Sequence, residues 1–452
     1  MAMTSDALRF FKYERLQEPY LLFYMRRRYV SPRTGLVRAG PYDAENHRSD
    51  DIYVGLIVVP AIADAAKKFV QHLGKGHGFY KGFKSVFKAN SLIFSDEYVK
   101  TVKGSSDNIL QYIEDAYFEL AEKLPDKSTI IIIADDEVIE RNYSRVKNLR
   151  FRYTKKKIRL QLVKRSTLER VLSDATALDF TLLNVATAIY AKAEGIPWIL
   201  ERQLIPAGIF IGIAFTRPRV VSSSSRAKEI FYYGIMTVYN KSGEYISWSA
   251  SSIRIEISAG NGLRGTKGLY IPKGDMIKML NQIIDDRKFP IVIIHKSSRF
   301  HIDEIEAARH VLGGKNIGYA LIHIESSNPY RGYGEEQHDA TVLRGDLVLD
   351  GELSNRAILF TTGYTQSDDR GIRRRGKPGT PKPLELEVGE NTTPYSVRDF
   401  AGQILGLTKL DWNTTDIEVK MPITIEYARR VAALAQHSQH NPPTIMDVRD
   451  LM

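Results

Sequence analysis

The sequence contains no cysteine, which excludes disulfides, thiolate metal sites and cysteine nucleophiles and suits a reducing compartment. It has no apolar run of the roughly 18–20 residues that cross a bilayer. Its opening, MAMTSDALRFFKYERLQEPY, is too polar for a secretory signal. A cytoplasmic protein that makes no membrane contact of its own is the expectation. Several enzyme signatures are also absent: there is no Gly-x-Ser-x-Gly elbow, no P-loop and no His-Glu-x-x-His. What remains is an ordinary globular composition, 43% hydrophobic and 26% charged over 452 residues, enough for two or three compact domains.

Acidic residues are nearly missing from one stretch. Between Arg141 and Arg170 there are twelve Lys or Arg residues and a single acid, Glu169, so this segment alone matches the net charge of +11 of the whole chain. One basic segment on an otherwise balanced body reads as a polyanion site, with nucleic acid as the leading partner. An anionic membrane surface, an acidic protein and a plain solvated face are the other readings of the same pattern.

The order of apolar runs gives the architecture. Residues 1–45 are mixed aromatic and basic, with turn signals at SPRTG and AGPYD, and read as an arm or small subdomain. From Tyr53 strands (YVGLIVVP, SLIFSD, STIIIIADD, KIRLQLV) alternate with helices (AIADAAKKFVQHL, NILQYIEDAYFELAEKL, VIERNYSRVKNLR, LLNVATAIYAKAEG). That alternation predicts a Rossmann-like parallel sheet over residues 46–203. Three β-rich runs then follow (AGIFIGIAFTR, KEIFYYGIMTVYN, EYISWSASSIRIEIS), succeeded by helix, strand, helix and strand. This is the element order of an RNase H-like domain, here residues 204–452, and the fold class is α/β throughout.

Four stretches in this order resemble the Argonaute family. AKAEGIPWIL (Ala191–Leu200) is similar to the helix end and strand that join the MID and PIWI domains. ILFTTG…RGKPGTPKPLEL, from Ile358, resembles the late PIWI strand, loop and strand; HKSSRFHIDEIEA and the closing PITIEYARRVAALA are PIWI-like as well. The resemblance covers roughly residues 50–452. It implies a Rossmann-like MID domain followed by an RNase H-like PIWI domain. Because no PAZ domain fits into the first 45 residues, it points to the short prokaryotic branch.

Within the basic segment, Tyr143 and Lys147 stand four apart on a predicted helix and so share a face. A phenol and an ammonium there can donate to one phosphate, or the phenol can stack under a terminal base. Gln161 lies in the following strand and Lys192 closes the next helix. Each is unremarkable alone, and a Tyr-x-x-x-Lys pair is common on exposed helices. Together they resemble the Tyr, Lys, Gln, Lys set with which MID domains hold the 5′-phosphate of a guide strand. One departure is Glu194, which stands before Gly195 where the family often has a second glycine. The resemblance further implies that the α-carboxylate of Met452, with Gln161, supplies oxygen ligands to a Mg²⁺ bridging guide phosphates; oxygen-only ligation suits that ion. The bland alternative for the chain end is a disordered tail.

RNase H-like nucleases cut with two metals held by clustered carboxylates. Where a slicing PIWI domain carries its first-strand Asp, this sequence has Ala214; where the second belongs it reads Lys296-Ser297-Ser298, with Ser297 at the key position. The last metal ligand falls at or near Arg429. Glu244, Asp303 and Glu304 are the nearest acids in sequence, the last two at a helix start where they meet the helix dipole without needing another role. His295 reads as core or as a contact to the guide seed. The loop Arg370–Lys382, with three consecutive arginines at 373–375, is either solvated or a backbone contact.

The resemblance therefore implies a protein that is not itself an enzyme. It would hold a guide RNA, pair it with target DNA, and signal to a partner with an APAZ region and a TIR, Sir2, nuclease or membrane effector in prokaryotic defence against invading DNA. Two other classes compete: an RNase H-like guided endonuclease with unconventional ligands, and a scaffold that binds a protein through its basic face.

Overall fold

The structure, a computed structural model, describes residues 11–103, 108–201, 205, 208–223, 227–258, 268–284, 289–334, 341–351, 355–367, 371–373, 380–436 and 447–452. The chain divides into two units. One holds residues 21–199, 411–416 and 437–452; the other holds 1–20, 200–410 and 417–436. The first 45 residues are thus split between them. Strand β1 (Phe11–Arg15) pairs antiparallel with a strand of the second unit, Phe11 opposite Asp350 and Arg15 opposite Asp346.

The first unit is built on a parallel sheet. β2 (Asp51–Val58) lies in the middle, with β3 (Ser91–Ile93) and β4 (Val99–Thr101) sharing one edge and β5 (Thr129–Ala134) on the other; β6 (Arg159–Lys164) follows β5. Every residue of β5 is buried, as its unbroken apolar run requires of a strand covered on both faces. Helices α1 (Ala63–Lys75), α2 (Ile109–Lys123), α3 (Asp136–Arg152), α4 (Arg165–Leu172) and α5 (Ala175–Lys192) cover it. α2 turns Ile109, Ile113, Tyr117 and Leu120 inward at helical spacing. α5 is buried along most of its length, which its apolar sequence demands. No helix among the described residues is long and apolar enough to cross a membrane.

The second unit carries a ten-stranded mixed sheet. β7 (Gly208–Phe215) runs antiparallel to β9 (Ala227–Tyr239), whose other edge takes β10 (Tyr245–Ser258); the short β8 (Arg219–Ser223), which the sequence pattern does not single out, also pairs with β9. On the far side β7 pairs in parallel with β11 (Ile291–Lys296), and β11 with β12 (Gly318–Glu325). β13 (Asp346–Asp350), β14 (Arg356–Leu359) and β15 (Leu384–Asn391) complete the sheet toward β1.

Alternation along β7 sorts its side chains. Ile209, Ile211 and Ile213 pack with Met276, Met279 and Leu280 of α6 (Lys273–Ile284) and Ala307 of α7 (Ile302–Ala308). Gly212 lies on the opposite face, where a Cβ would come within 1.9 Å of the Thr424 carbonyl oxygen at the start of α9 (Ile423–Ala435). Only glycine permits that approach. α8 (Val397–Leu407) precedes it in the chain.

β1 joins this unit through its pairing with β13, and a buried ion cluster adds a second tie. Glu18, just beyond it, is buried against Arg344 (3.0 Å) and Lys409 (3.1 Å). Burial alone would raise the Glu18 carboxyl, but the two cations outweigh it and hold the group below the usual range. Removing one member would leave a buried charge unpaired, at about 3–5 kcal/mol.

His295, in β11, is wholly buried. Its Nδ1 lies 2.9 Å from Thr424 Oγ1 and its ring stacks on Phe210, so it is a core residue and cannot touch a nucleic-acid strand in this conformation. Burial pushes its imidazole down to about 3. Unfolded, the group titrates near pH 6.5, so the unfolded chain binds the extra proton between those values. The neutral histidine's contribution is full above pH 6.5 and is lost as pH falls toward 3. Between pH 7 and pH 5 it should cost roughly 2 kcal/mol of stability. Urea unfolding at the two pH values should show a smaller acid loss for His295→Gln than for the wild type; an equal loss in both would contradict this assignment.

Candidate phosphate-binding site

The basic segment Arg141–Arg170 is less free than its sequence implies, because acids from elsewhere fold onto it. Arg152 pairs with Glu114 (2.9 Å), Lys155 with Glu122 (2.7 Å), Lys157 with Glu194 (2.6 Å) and Arg165 with Glu169 (2.7 Å) and Asp135 (3.2 Å). Arg141 reaches Glu137, and Lys164 reaches Glu140. Lys156 donates to the carbonyls of Ala121, Glu122 and Leu124 at the end of α2, where a cation satisfies orphan acceptors and meets the helix dipole. Charge density along the chain overstates charge density on the surface.

Three of the four residues singled out in sequence converge inside this unit. Lys147, on α3, is buried; its Nζ donates to the Leu160 carbonyl (3.1 Å) and to the backbone oxygen of Met452. Lys192, the last residue of α5, is wholly buried, and its Nζ donates to Gln161 Oε1 at 2.5 Å. Gln161 stands next to Leu160 on β6, so the two ammonium groups meet adjacent positions of one strand. Tyr143 lies one helical turn before Lys147 on the same face of α3 and is half-buried.

The chain end forms part of this arrangement. Residues Val448–Leu451 make a short helical turn capped by Asp447, and Met452 is buried. The residue that secures it, Arg159, is one the sequence reading passed over. Arg159 sits on β6 two positions before Gln161, hence on the same face. It is buried, and its guanidinium reaches Asp450 (3.0 Å), Asp447 (3.2 Å) and the Lys192 carbonyl. Arg150 adds a second contact to Asp450 at 3.4 Å. The available signal was an arginine inside the apolar strand KIRLQLV, a position that only a buried partner makes tolerable.

Glu194 is bound by lysines other than Lys147 and Lys192. It has φ 74, the left-handed conformation that a glycine would adopt more easily. Its carboxylate pairs with Lys127 and Lys157, each at 2.6 Å. Burial raises this carboxyl, but the hydrogen bonds and charges of the two lysines dominate and bring it down to about 2.

In the second unit, Ala214 and Ser297 come close together. β7 and β11 pair in parallel as far as Ile213 with Lys296, and Ala214 and Ser297 are the next residue of each. By alternation Ala214 shares the α9 side with Gly212, whereas Lys296 turns to the other side. There Lys296 is buried against Glu304 at 2.6 Å, with the rings of Phe215 and Phe300 5.2 and 5.6 Å from its ammonium. Burial lowers the Lys296 amine, and the Glu304 carboxylate opposes that shift.

Glu304 therefore does more than greet a helix dipole. It also accepts from the backbone of Ile271 (3.1 Å) and His301 (2.8 Å), completing a capping box. Asp303 accepts from the Lys273 backbone, Glu244 is bound to Asn240 (2.6 Å), and Arg429 is exposed on α9. Among the described residues no group of three or more His, Asp or Glu is placed to hold a metal. In the loop Arg370–Lys382, residues 370 and 374–379 lie outside the described residues.

No protein-family model matches the chain. Two curated relatives do. The Argonaute protein of Cereibacter sphaeroides (strain ATCC 17025 / ATH 2.4.3) is 23% identical over 274 residues, which is 58% of this chain and 34% of the relative. The Argonaute protein of Aquifex aeolicus (strain VF5) is 22% identical over 360 residues, 78% of this chain and 43% of the relative. The chain thus spans less than half the length of either. Among solved structures, Clostridium butyricum Argonaute bound to a guide DNA and a 19-mer target DNA aligns with a TM-score of 0.66 at 16% identity, covering 97% of this chain and 54% of that one. Aa-Ago with externally bound siRNA aligns at 0.65 and 17% identity, covering 97% and 56%. In sequence and in fold the chain is similar to Argonaute proteins.

Proposed function

We propose that this protein holds the 5′-phosphorylated end of a guide RNA, pairs the guide with a complementary DNA target, and signals target binding without cutting. The observation that carries this reading is the convergence of Lys147, Gln161 and Lys192 beside the buried Met452. Two ammonium groups and an amide, gathered at the middle of β6, can receive a terminal monoester. That group carries up to two charges near neutral pH, more than an internal phosphodiester offers. The two ammonium groups support a terminal phosphate as the ligand; RNA as guide and DNA as target come from the resemblance to short Argonautes.

Mg²⁺ fits as a companion of the guide. Gln161 Oε1 and the Met452 oxygen are hard donors, and each accepts from a lysine. Gln161 and Met452 would help to hold the ion, which when bound would supply positive charge that offsets the charge of a phosphate. The lysines would then turn from Leu160, Met452 and Gln161 toward the phosphate oxygens.

Charge-assisted hydrogen bonds contribute roughly 1.5–3 kcal/mol each. Lys147→Ala or Lys192→Ala should therefore weaken binding of a phosphorylated guide about ten- to a hundredfold. Lys155→Ala, at an exposed surface pair, should cost far less. Filter binding with guides that differ only in a 5′-phosphate or 5′-hydroxyl separates the readings. The wild type should favour the phosphate and Lys147→Ala should lose most of that preference. Equal weakening of both guides would reduce the segment to a general polyanion surface.

Ala214 and Ser297 support a target-binding protein that does not slice. Incubation with guide, matched target and Mg²⁺ or Mn²⁺ should leave the target intact. Cleavage at one fixed phosphodiester, surviving stringent purification, would favour a guided endonuclease with unconventional ligands. A non-cutting guide holder needs an output, and the resemblance supplies one: an APAZ-containing partner with a TIR, Sir2, nuclease or membrane effector acting in prokaryotic defence. Co-expression with an APAZ-encoding neighbour gene should yield a stable complex whose effector responds to a guide-matched target. A chain that produces the cellular effect alone would contradict it.

A further inference from the structure

We propose that the turn Met25–Arg28 is a second nucleic-acid contact, gripping the phosphate backbone with Arg26 and Arg27 and pressing Met25 against a base or sugar. From Leu21 to Tyr42 the sequence carries five arginines and no acid. All four residues of the turn are exposed, Met25 at 71%. Neither Arg26 nor Arg27 makes an ion pair among the described residues. Nothing in the 5′-end pocket uses this element.

The backbone here is strained in favour of display. Met25 has φ 54 and Arg26 φ 56, two consecutive left-handed residues, each costing roughly 1–2 kcal/mol without glycine. The turn is nonetheless fixed. Phe23 N donates to Arg27 O (3.0 Å), Arg27 N to Tyr24 O (3.2 Å) and Tyr24 N to Gly40 O (3.3 Å). The Tyr24 hydroxyl donates to Glu45 at 2.5 Å, and the Lys88 ammonium lies 5.3 Å from its ring. Beneath it the buried Phe23 packs on Tyr29 and Trp198. A turn that served only to connect would be more stable with glycine at either position. Strain held by surrounding structure is a mark of a functional segment.

The chemistry favours nucleic acid over other polyanions. Guanidinium forks match phosphate oxygens bidentately, and an apolar side chain beside arginines is the composition of a wedge that enters a groove or base step. One methionine offers too little apolar area for a membrane-surface element. The inference rests on the nucleic-acid reading given above, and its test is chosen to fail separately.

The probe is a labelled 5′-phosphorylated RNA guide annealed to complementary DNA, titrated across salt concentrations. With Arg26→Gln/Arg27→Gln, the slope of log affinity against log salt should fall by about 1.4–1.8, two contacts at ~0.7–0.9 each. Affinity at ~0.15 M salt should drop on the order of tenfold, while the preference for a 5′-phosphate over a 5′-hydroxyl stays unchanged. Met25→Gly should keep or raise the thermal midpoint, because it relieves the left-handed strain, yet bind the duplex several-fold more weakly. Unchanged slope and affinity in both variants would overturn this inference alone. A wild type that binds no nucleic acid would overturn it together with the reading it rests on. Loss of binding to phosphatidylserine vesicles, with duplex binding intact, would assign the turn to membranes and overturn it as well.

Discussion

The guanidinium of Arg159 ties together the elements that carry Lys147, Gln161 and Lys192, the candidate phosphate contacts. It lies inside the first unit and bonds the carbonyl of Lys192, Asp450 and Asp447. Each bond fixes one component. The first sets the end of α5 and hence the Lys192 ammonium; the others seat the chain end and hence the Met452 oxygen that Lys147 meets. Its own strand carries Gln161. A buried cation of this kind is stable only while its carboxylates stay in place, since an uncompensated charge there costs several kcal/mol.

The second unit uses a buried ion pair differently. At the end of β11, Lys296 and Glu304 are closed off from water, and Glu304 is also the third residue of a capping box. The pair locks the start of α7 to the sheet on the side away from Ala214. Ala214 and Ser297, the next residues along the paired strands β7 and β11, are both small and uncharged. The acids nearest in sequence already hold structural bonds. Lys296 therefore acts as a fastening within the core, and its charge is matched before any ligand arrives.

Much of this was legible in the sequence, for reasons that differ by element. β5 and β7 are unbroken apolar runs of strand length, and α2 shows helical spacing, so their types follow from periodicity. Lys147, Gln161 and Lys192 stand out in the sequence only through a spacing that resembles that of a known family; the structure places Lys147 on Leu160 and Met452 and Lys192 on Gln161. The role of Arg159 was not legible, because its partners stand about 290 positions away and no local pattern marks them. The place of β1 in the sheet is equally hidden from a local reading, because its partner strand, Asp346–Asp350, lies more than 300 positions further along the chain. The basic run was read as a surface patch because the acids that neutralise it, such as Glu114 and Glu122, come from a different helix.

Two buried lysines, on α3 and α5, donate to adjacent residues of β6, and a structure with a short 5′-phosphorylated oligonucleotide tests their role most directly. The account predicts the terminal phosphate within roughly 3 Å of the Lys147 and Lys192 ammonium groups, both turned away from their present acceptors, with the Gln161 amide alongside. A phosphate seated elsewhere, with Lys147 still on Leu160 and Met452 and Lys192 still on Gln161, would contradict it.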